Sequence, residues 1–204
     1  MVDTWPVISQ ALSETFTAMG HDPWTIDESK TYMHKSMRDY FPELFGKDWE
    51  KAKAVYYKSF LKNHLAKLTV LPHSFEMLEE LARTDIYIAV VSNKTGNYLR
   101  DEVSHLGWNK FFRKIVGATD AESDKPTAAP AILAMKDSGI APSHDVWFIG
   151  DTAIDIECAI NSGCKPIFFG EHELPEEYKF DPKDLSPVIH VRNHRTLAEM
   201  IKDF

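Results

Sequence analysis

The chain has 204 residues, 44% hydrophobic and 26% charged, a globular composition with enough length to bury a sizeable core, which excludes disorder as the main state. Its 23 Lys and Arg against 31 Asp and Glu give a net charge of −8, which disfavours nucleic acid as the main ligand and leaves a small anion possible only where a cation screens it. No apolar stretch approaches the roughly 20 residues of a membrane span, and Met1 to Pro6 lack the basic flank and apolar core of a signal peptide, so a cytoplasmic protein with no membrane partner is expected.

Nine basic and nine acidic residues precede about residue 70, so the whole negative excess lies beyond it and two regions with different jobs are expected. The first reads as helix. Ile8, Leu12, Phe16 and Met19 recur at helical spacing, with Asp3 or Thr4 as the cap and Gly20 as the stop. A shorter helix is expected over about 26–37. Trp49, Ala52, Tyr56 and Phe60 then mark a long helix whose other face is rich in lysine, and these aromatics read as core.

After Pro72 the period changes. Apolar runs at 86–91, 114–116, 146–149, 166–169 and 188–191 alternate with helical patterns at 74–83, 98–106, 128–138 and 154–162. Continuous apolarity suggests strands buried on both faces, and the helices supply the crossovers of a doubly wound parallel sheet. The expected architecture is therefore α/β, with a helical unit over 4–70 and an α/β core over 71–204. Cys158 and Cys164, six apart, have no zinc-site spacing and read as buried, reduced thiols.

In such sheets chemistry gathers at the carboxyl ends of the strands. The first of these ends carries Ser92-Asn93-Lys94, a small polar turn whose hydroxyl and N–H groups suit phosphate oxygens or a helix cap. The loop at 120–126 carries Lys125 before Pro126, either a fixed charge for an anion or a solvated surface lysine. A third end reads Gly150-Asp151, with Asp155 one helical turn on. Two carboxylates there make a hard-cation site suited to Mg2+, although capping of the next helix explains one of them.

In that order, the strand-end Ser92, the Lys125-Pro126 loop and the Gly150-Asp151 to Asp155 segment resemble the motifs of the haloacid dehalogenase superfamily. The likeness is to its phosphoglycolate phosphatase-type members, and Leu71-Pro72 resembles the return from their helical cap. The resemblance implies a Rossmann-like core with an inserted cap. It also implies Mg2+-dependent hydrolysis of a small phosphorylated metabolite by a monomer or homodimer. Ser92, Asn93 and Lys125 would bind phosphate, Lys125 and Asp151 would take part in catalysis, and Asp151 and Asp155 would serve the metal.

The family's first motif, a strand ending in Asp-x-Asp-Gly-Thr, has no counterpart here, although Val2-Asp3-Thr4 resembles the pair that follows it. Its first Asp attacks phosphorus and its second is the general acid and base, so the resemblance implies that the nucleophile is missing from this chain. Its strand would lie between those ending at Val91 and Ile149. A gap is expected there, and with it roughly 10 to 20 further residues upstream of Met1. If Met1 is the true start, the alternative is a catalytically inactive phosphate-binding protein. A phosphomutase or a dehalogenase on the same scaffold is a further alternative, the dehalogenase disfavoured by the paired carboxylates. Within the cap, His34, Lys35, Ser36 and Arg38 form a polar cluster that either faces substrate or is a solvated face.

Overall fold

The computed structural model describes residues 1–33, 35–179 and 187–202; the expectation for His34 lies outside them. Strand β1 (Val2–Asp3) leads into helix α1 (Trp5–Ala18), followed by α2 (Ile26–Tyr32), α3 (Met37–Phe45) and α4 (Trp49–Asn63). Strand β2 (Thr69–Val70) then returns to pair antiparallel with β1. The Asp3 carboxylate accepts the Trp5 N–H at 3.0 Å, so Asp3 rather than the Thr4 side chain caps α1. The expected helix over 26–37 is two helices. α2 starts with a full capping box, Thr25 with Glu28, and ends at Tyr32, and extended backbone at Ser36 starts α3 afresh.

These helices bury an apolar cluster of their own, in which Leu12, Phe41 and Ala52 are completely covered. Trp49, Tyr56 and Phe60 belong to it, as the helical spacing predicts. Tyr98 reaches it from the following region, the one partly buried side chain from beyond residue 70 packed on this cluster.

The second region alternates strand and helix: α5 (Ser74–Leu81), β3 (Ala89–Thr95), α6 (Gly96–His105), β4 (Lys114–Ala118) and α7 (Ala129–Met135). It continues through β5 (Trp147–Gly150), α8 (Ala153–Ser162), β6 (Lys165–Phe169), β7 (Ile189–Val191) and α9 (His194–Ile201). All pairings here are parallel, but they form two half-sheets. β3 pairs with β4, and β6 lies between β5 and β7. Among the described residues no ladder joins β3 to β5, the position where the resemblance implies a gap.

One strand departs from its expected bounds. Residues 86–88 are not strand, and β3 runs from Ala89 past Val91 to Thr95. Its register against β4 is regular from Ala89 to Val91 and resumes only at Thr95, so Ser92, Asn93 and Lys94 form a bulge inside the strand. Bulges re-aim side chains at strand ends, and this one carries the first group of candidate residues.

At the far end of the chain, His194 opens α9 and is buried, its Nδ1–H donating to the Pro72 carbonyl at 3.0 Å. Burial, then the positive charge of the Met1 amino group, push its pKa down to about 4. The neutral ring is therefore the folded form, whereas an unfolded His takes up its proton near pH 6.5. The stabilisation is complete above about pH 6.5 and is lost as pH falls toward 4, at up to about 1.4 kcal/mol per pH unit. Urea midpoints between pH 7 and pH 4.5 should fall less steeply for His194→Gln than for the unsubstituted protein.

Candidate functional site

The carboxyl ends of β3, β4 and β5 meet around Lys125. From the β3 bulge, the Asn93 side chain clamps the Lys125 backbone: its amide donates to the Lys125 carbonyl and its oxygen accepts the Lys125 N–H, both at 3.1 Å. The Lys125–Pro126 peptide is cis. Lys125 itself is only 9% exposed, and its Nζ meets Asp155 Oδ1 at 2.6 Å.

Asp155 lies in the first turn of α8 and is held there by its neighbours. Its Oδ2 accepts the Thr152 N–H at 3.0 Å and the Thr152 hydroxyl at 2.7 Å, half of a capping box that fixes the helix start. Burial works against its charge, yet Lys125 and the Thr152 bonds hold the carboxyl below the usual range. Gly150 makes this possible, because a Cβ there would lie 2.2 Å from Asp155 Cβ and Cγ.

Asp151 differs from Asp155 in being open. It lines a cavity of about 1030 Å3 together with Ser92 and Asn93, and its side chain is solvent-accessible there. Surrounding protein still desolvates it, and that, then the charge of Asp155, raises its pKa against the opposing pull of Lys125 and the Met1 amino group. Ser92 Oγ accepts the Lys94 N–H at 3.1 Å, which closes the bulge.

The structure thus brings Ser92, Asn93, Lys125, Asp151 and Asp155 to one place. Sequence reasoning missed two further participants, Asp124 and Thr152, and left Arg38 open between facing substrate and being part of a solvated face. Asp124, 4% exposed, accepts the Thr119 N–H at 3.0 Å and pairs with Arg38 Nε at 2.6 Å, tying the loop before Lys125 to α3. The second is Thr152, whose spacing from Asp155 is a capping-box signal that was readable in the sequence. The Arg38 to Asp124 pairing had no such signal. Lys35 lines the cavity but pairs with Glu43 at 2.9 Å, and Ser36 is buried with its hydroxyl on Asp39.

Among the described residues no group of three or more His, Cys, Asp and Glu could hold a metal. Asp151 is the open carboxylate, since both oxygens of Asp155 are engaged. That set fits a cation bound by one carboxylate, water and phosphoryl oxygens, a common arrangement for magnesium, and does not fit an all-protein cage. Cys158 and Cys164 are buried as expected. Burial pushes the Cys158 thiol up to about 12, and its S–H donates to the Thr127 carbonyl, so it is no thiolate nucleophile.

The model of haloacid dehalogenase-like hydrolases matches residues 1–169. The chain belongs to that family. It is 23% identical over 182 residues to phosphoglycolate phosphatase 1 of Pseudomonas aeruginosa, covering 83% of this chain and 66% of that protein, so the chain spans just under two thirds of this relative's length. A haloacid dehalogenase-superfamily hydrolase from Ehrlichia chaffeensis superposes with a TM-score of 0.65 at 27% identity, covering 100% of this chain and 91% of its own. A haloacid dehalogenase-like hydrolase from Streptococcus pneumoniae reaches 0.81 at 19% identity, over 98% and 93% of the two chains, a likeness of fold. No helix of the described residues is long and apolar enough to cross a membrane.

Because Lys125 and Asp155 are both buried, deleting one strands the other. Asp155→Ala should destabilise the protein by about 3–5 kcal/mol in chemical denaturation, and Asp155→Asn, which keeps volume and an acceptor for Thr152, by clearly less.

Proposed function

We propose that this haloacid dehalogenase-like hydrolase acts on a small phosphate monoester with the help of magnesium, phosphoglycolate being the first candidate. The observation that carries the reading is the arrangement at the strand ends. Ser92, Asn93 and Asp151 open onto one cavity, and Lys125 is fixed beside them by Asn93 and Asp155. The relative named phosphoglycolate phosphatase 1 supports the choice of substrate class.

Each residue then has a distinct task. The Ser92 hydroxyl and the Asn93 N–H hold a phosphoryl oxygen that is not transferred. Lys125 sets a positive charge against the phosphate as negative charge builds on its oxygens. Asp151 holds the cation, which would neutralise phosphoryl charge in an acidic protein. Asp155 is a positioning residue: it locks Lys125 in place and stands next to Asp151 without an open oxygen. Helices α1 to α4 serve as a cap over residues 4–70, and Met33, Lys35 and Met37 face the cavity from that side and meet the rest of the substrate.

Hydrolysis in this reading begins with attack by a carboxylate oxygen on phosphorus as the ester oxygen leaves, and ends when water releases phosphate from the acyl phosphate. Asp3 does not take that part, being bound to the Trp5 N–H at the start of α1. We therefore assign to these residues the binding of phosphate and cation, and to a carboxylate brought to the gap between β3 and β5 the covalent step. A second reading, which holds if Met1 is the natural start, is a phosphate-binding protein without turnover.

Free phosphate release from phosphoglycolate, sugar phosphates and nucleoside monophosphates, measured with magnesium and after chelation on the protein isolated from its own source, tests the proposal. Release should require magnesium and fall about 100-fold or more in Lys125→Met and in Asp151→Asn. Release that persists after chelation contradicts the cation's role. Saturable phosphate binding with no release, weakened in the same two variants, selects the second reading.

A further inference from the structure

One charged group on the cavity wall has no part in the phosphate site described above. Tyr57 and Phe60 of α4, Lys94 of the β3 bulge, and Tyr98 and Glu102 of α6 line the cavity together. Lys94 is the cation among them. Its ammonium lies 5.8 Å from the centre of the Phe60 ring and pairs with Glu102 Oε2. Both partners are largely enclosed, with side chains 15% and 4% exposed. Burial pulls the Lys94 pKa down against the opposing pull of Glu102, so this one carboxylate does not fully replace the water that the ammonium has lost.

The pair is unfinished on its far side. Glu102 Oε1 faces Nδ1 of His64 at 3.6 Å, and His64, just past α4, is 6% exposed and stacked on Phe60. That separation is too long for a hydrogen bond, and among the described residues neither atom has one. Two buried polar atoms left unsatisfied are costly, and a small rotation of the Glu102 carboxylate would join them, with the proton on Nδ1. The same rotation would loosen the hold on Lys94. The ammonium would then need another anion, and the cavity is the side from which one can come. Its backbone fixes where, because the Lys94 N–H donates to Ser92 Oγ at 3.1 Å and the lysine therefore starts beside the hydroxyl assigned to phosphate. Lys35 also lines the cavity, but it is already paired with Glu43 in a half-exposed bridge that water screens.

We propose that Lys94 determines specificity: its ammonium binds the carboxylate of a phosphorylated hydroxy acid whose phosphate lies at Ser92 and Asn93, while Glu102 passes from Lys94 to His64. The place of the phosphate rests on the proposed phosphatase reading, and Lys94 adds the choice among phosphate monoesters. Lys94 touches the substrate, whereas Glu102 and His64 are positioning residues. An acid drives the exchange with one new charge-assisted hydrogen bond at Lys94 and another at His64. An ester without a carboxylate gains neither, so Lys94 stays on Glu102 and the difference falls on binding.

Two phosphonates that cannot be hydrolysed as esters read that affinity without turnover. Carboxyethylphosphonate carries the carboxylate, and propylphosphonate has a methyl group in its place. Calorimetric titration of the 204-residue chain with magnesium present should show the first binding at least about tenfold more tightly. In the double variant Lys94→Met with Glu102→Gln, which removes both charges and strands neither, the ratio should fall to about twofold or less, with propylphosphonate affinity and Tm little changed. His64→Phe should cut the ratio at least about threefold and leave propylphosphonate binding as it was. A ratio near one before substitution overturns the inference. So does a ratio that the double variant retains, or a loss shared equally by both phosphonates, which is what a purely structural ion pair would give. Equal binding of the two phosphonates that Lys125→Met weakens leaves the phosphate site standing and removes the role of Lys94. A carboxylate-dependent ratio with no phosphate release from phosphoglycolate leaves that role standing and counts against the phosphatase reading. Binding of neither phosphonate overturns both.

Discussion

A charged pair buried where two half-sheets meet does more than neutralise itself. Lys125 belongs to the loop after β4 and is clamped by Asn93 of β3, whereas Asp155 belongs to the helix after β5. With no ladder between β3 and β5, their 2.6 Å contact is a direct polar tie across the divide. Two weaker ties run parallel to it, from the Asn161 side chain to the Pro126 carbonyl at 2.8 Å and from Cys158 to the Thr127 carbonyl. All three join the Lys125 loop to α8, and the Ala131, Met135, Cys158 and Ala159 cluster packs beneath them. The elements that carry the proposed phosphate-binding groups are therefore the same elements that hold the halves in register. The site and the fold share one interaction.

The architecture was legible where burial is strongest. The runs at 114–116, 146–149, 166–169 and 188–191 were readable as strands because two covered faces leave no room for polar alternation, and each matches β4 to β7 within two residues. The β1–β2 ribbon was not, since two-residue strands carry no period. α3 was hidden by Pro42 inside it and by the apolar residues on either side of the break at Ser36. The late start of β3 has a physical reason as well: the apolar run from Ile86 lies along the cavity rather than in a ladder.

For the site, residue types at strand ends were enough to find Ser92, Asn93, Lys125, Asp151 and Asp155, but not to say which of their atoms are spoken for. Asn93 looked like a phosphate contact through its N–H, and its side chain turns out to be a clamp on Lys125. Two carboxylates looked equivalent, and one is enclosed by Lys125 and Thr152 while the other is open. The Asn93–Lys125 and Lys125–Asp155 contacts span 32 and 30 residues, which no local pattern encodes, whereas the Thr152–Asp155 capping box is local. The contribution of Arg38 belongs with the first two.

The helical layer touches the core at chemically different points. Tyr57 shares a 2.6 Å hydrogen bond with the Thr95 hydroxyl at the end of β3, and Phe60 and His64 pack on Tyr98 above the Lys94–Glu102 ion pair. Arg38 supplies another, against an Asp124 side chain that is 2% exposed. A surface pair can part at little cost because water replaces each partner, but Asp124 has almost no access to water. Swinging α3 away would leave a carboxylate enclosed by protein with its countercharge withdrawn. In the proposed reading of α1 to α4 as a cap, that cost would favour the shut arrangement, and a substrate entering beneath the helices would have to slip past the contact or repay its loss with contacts of its own.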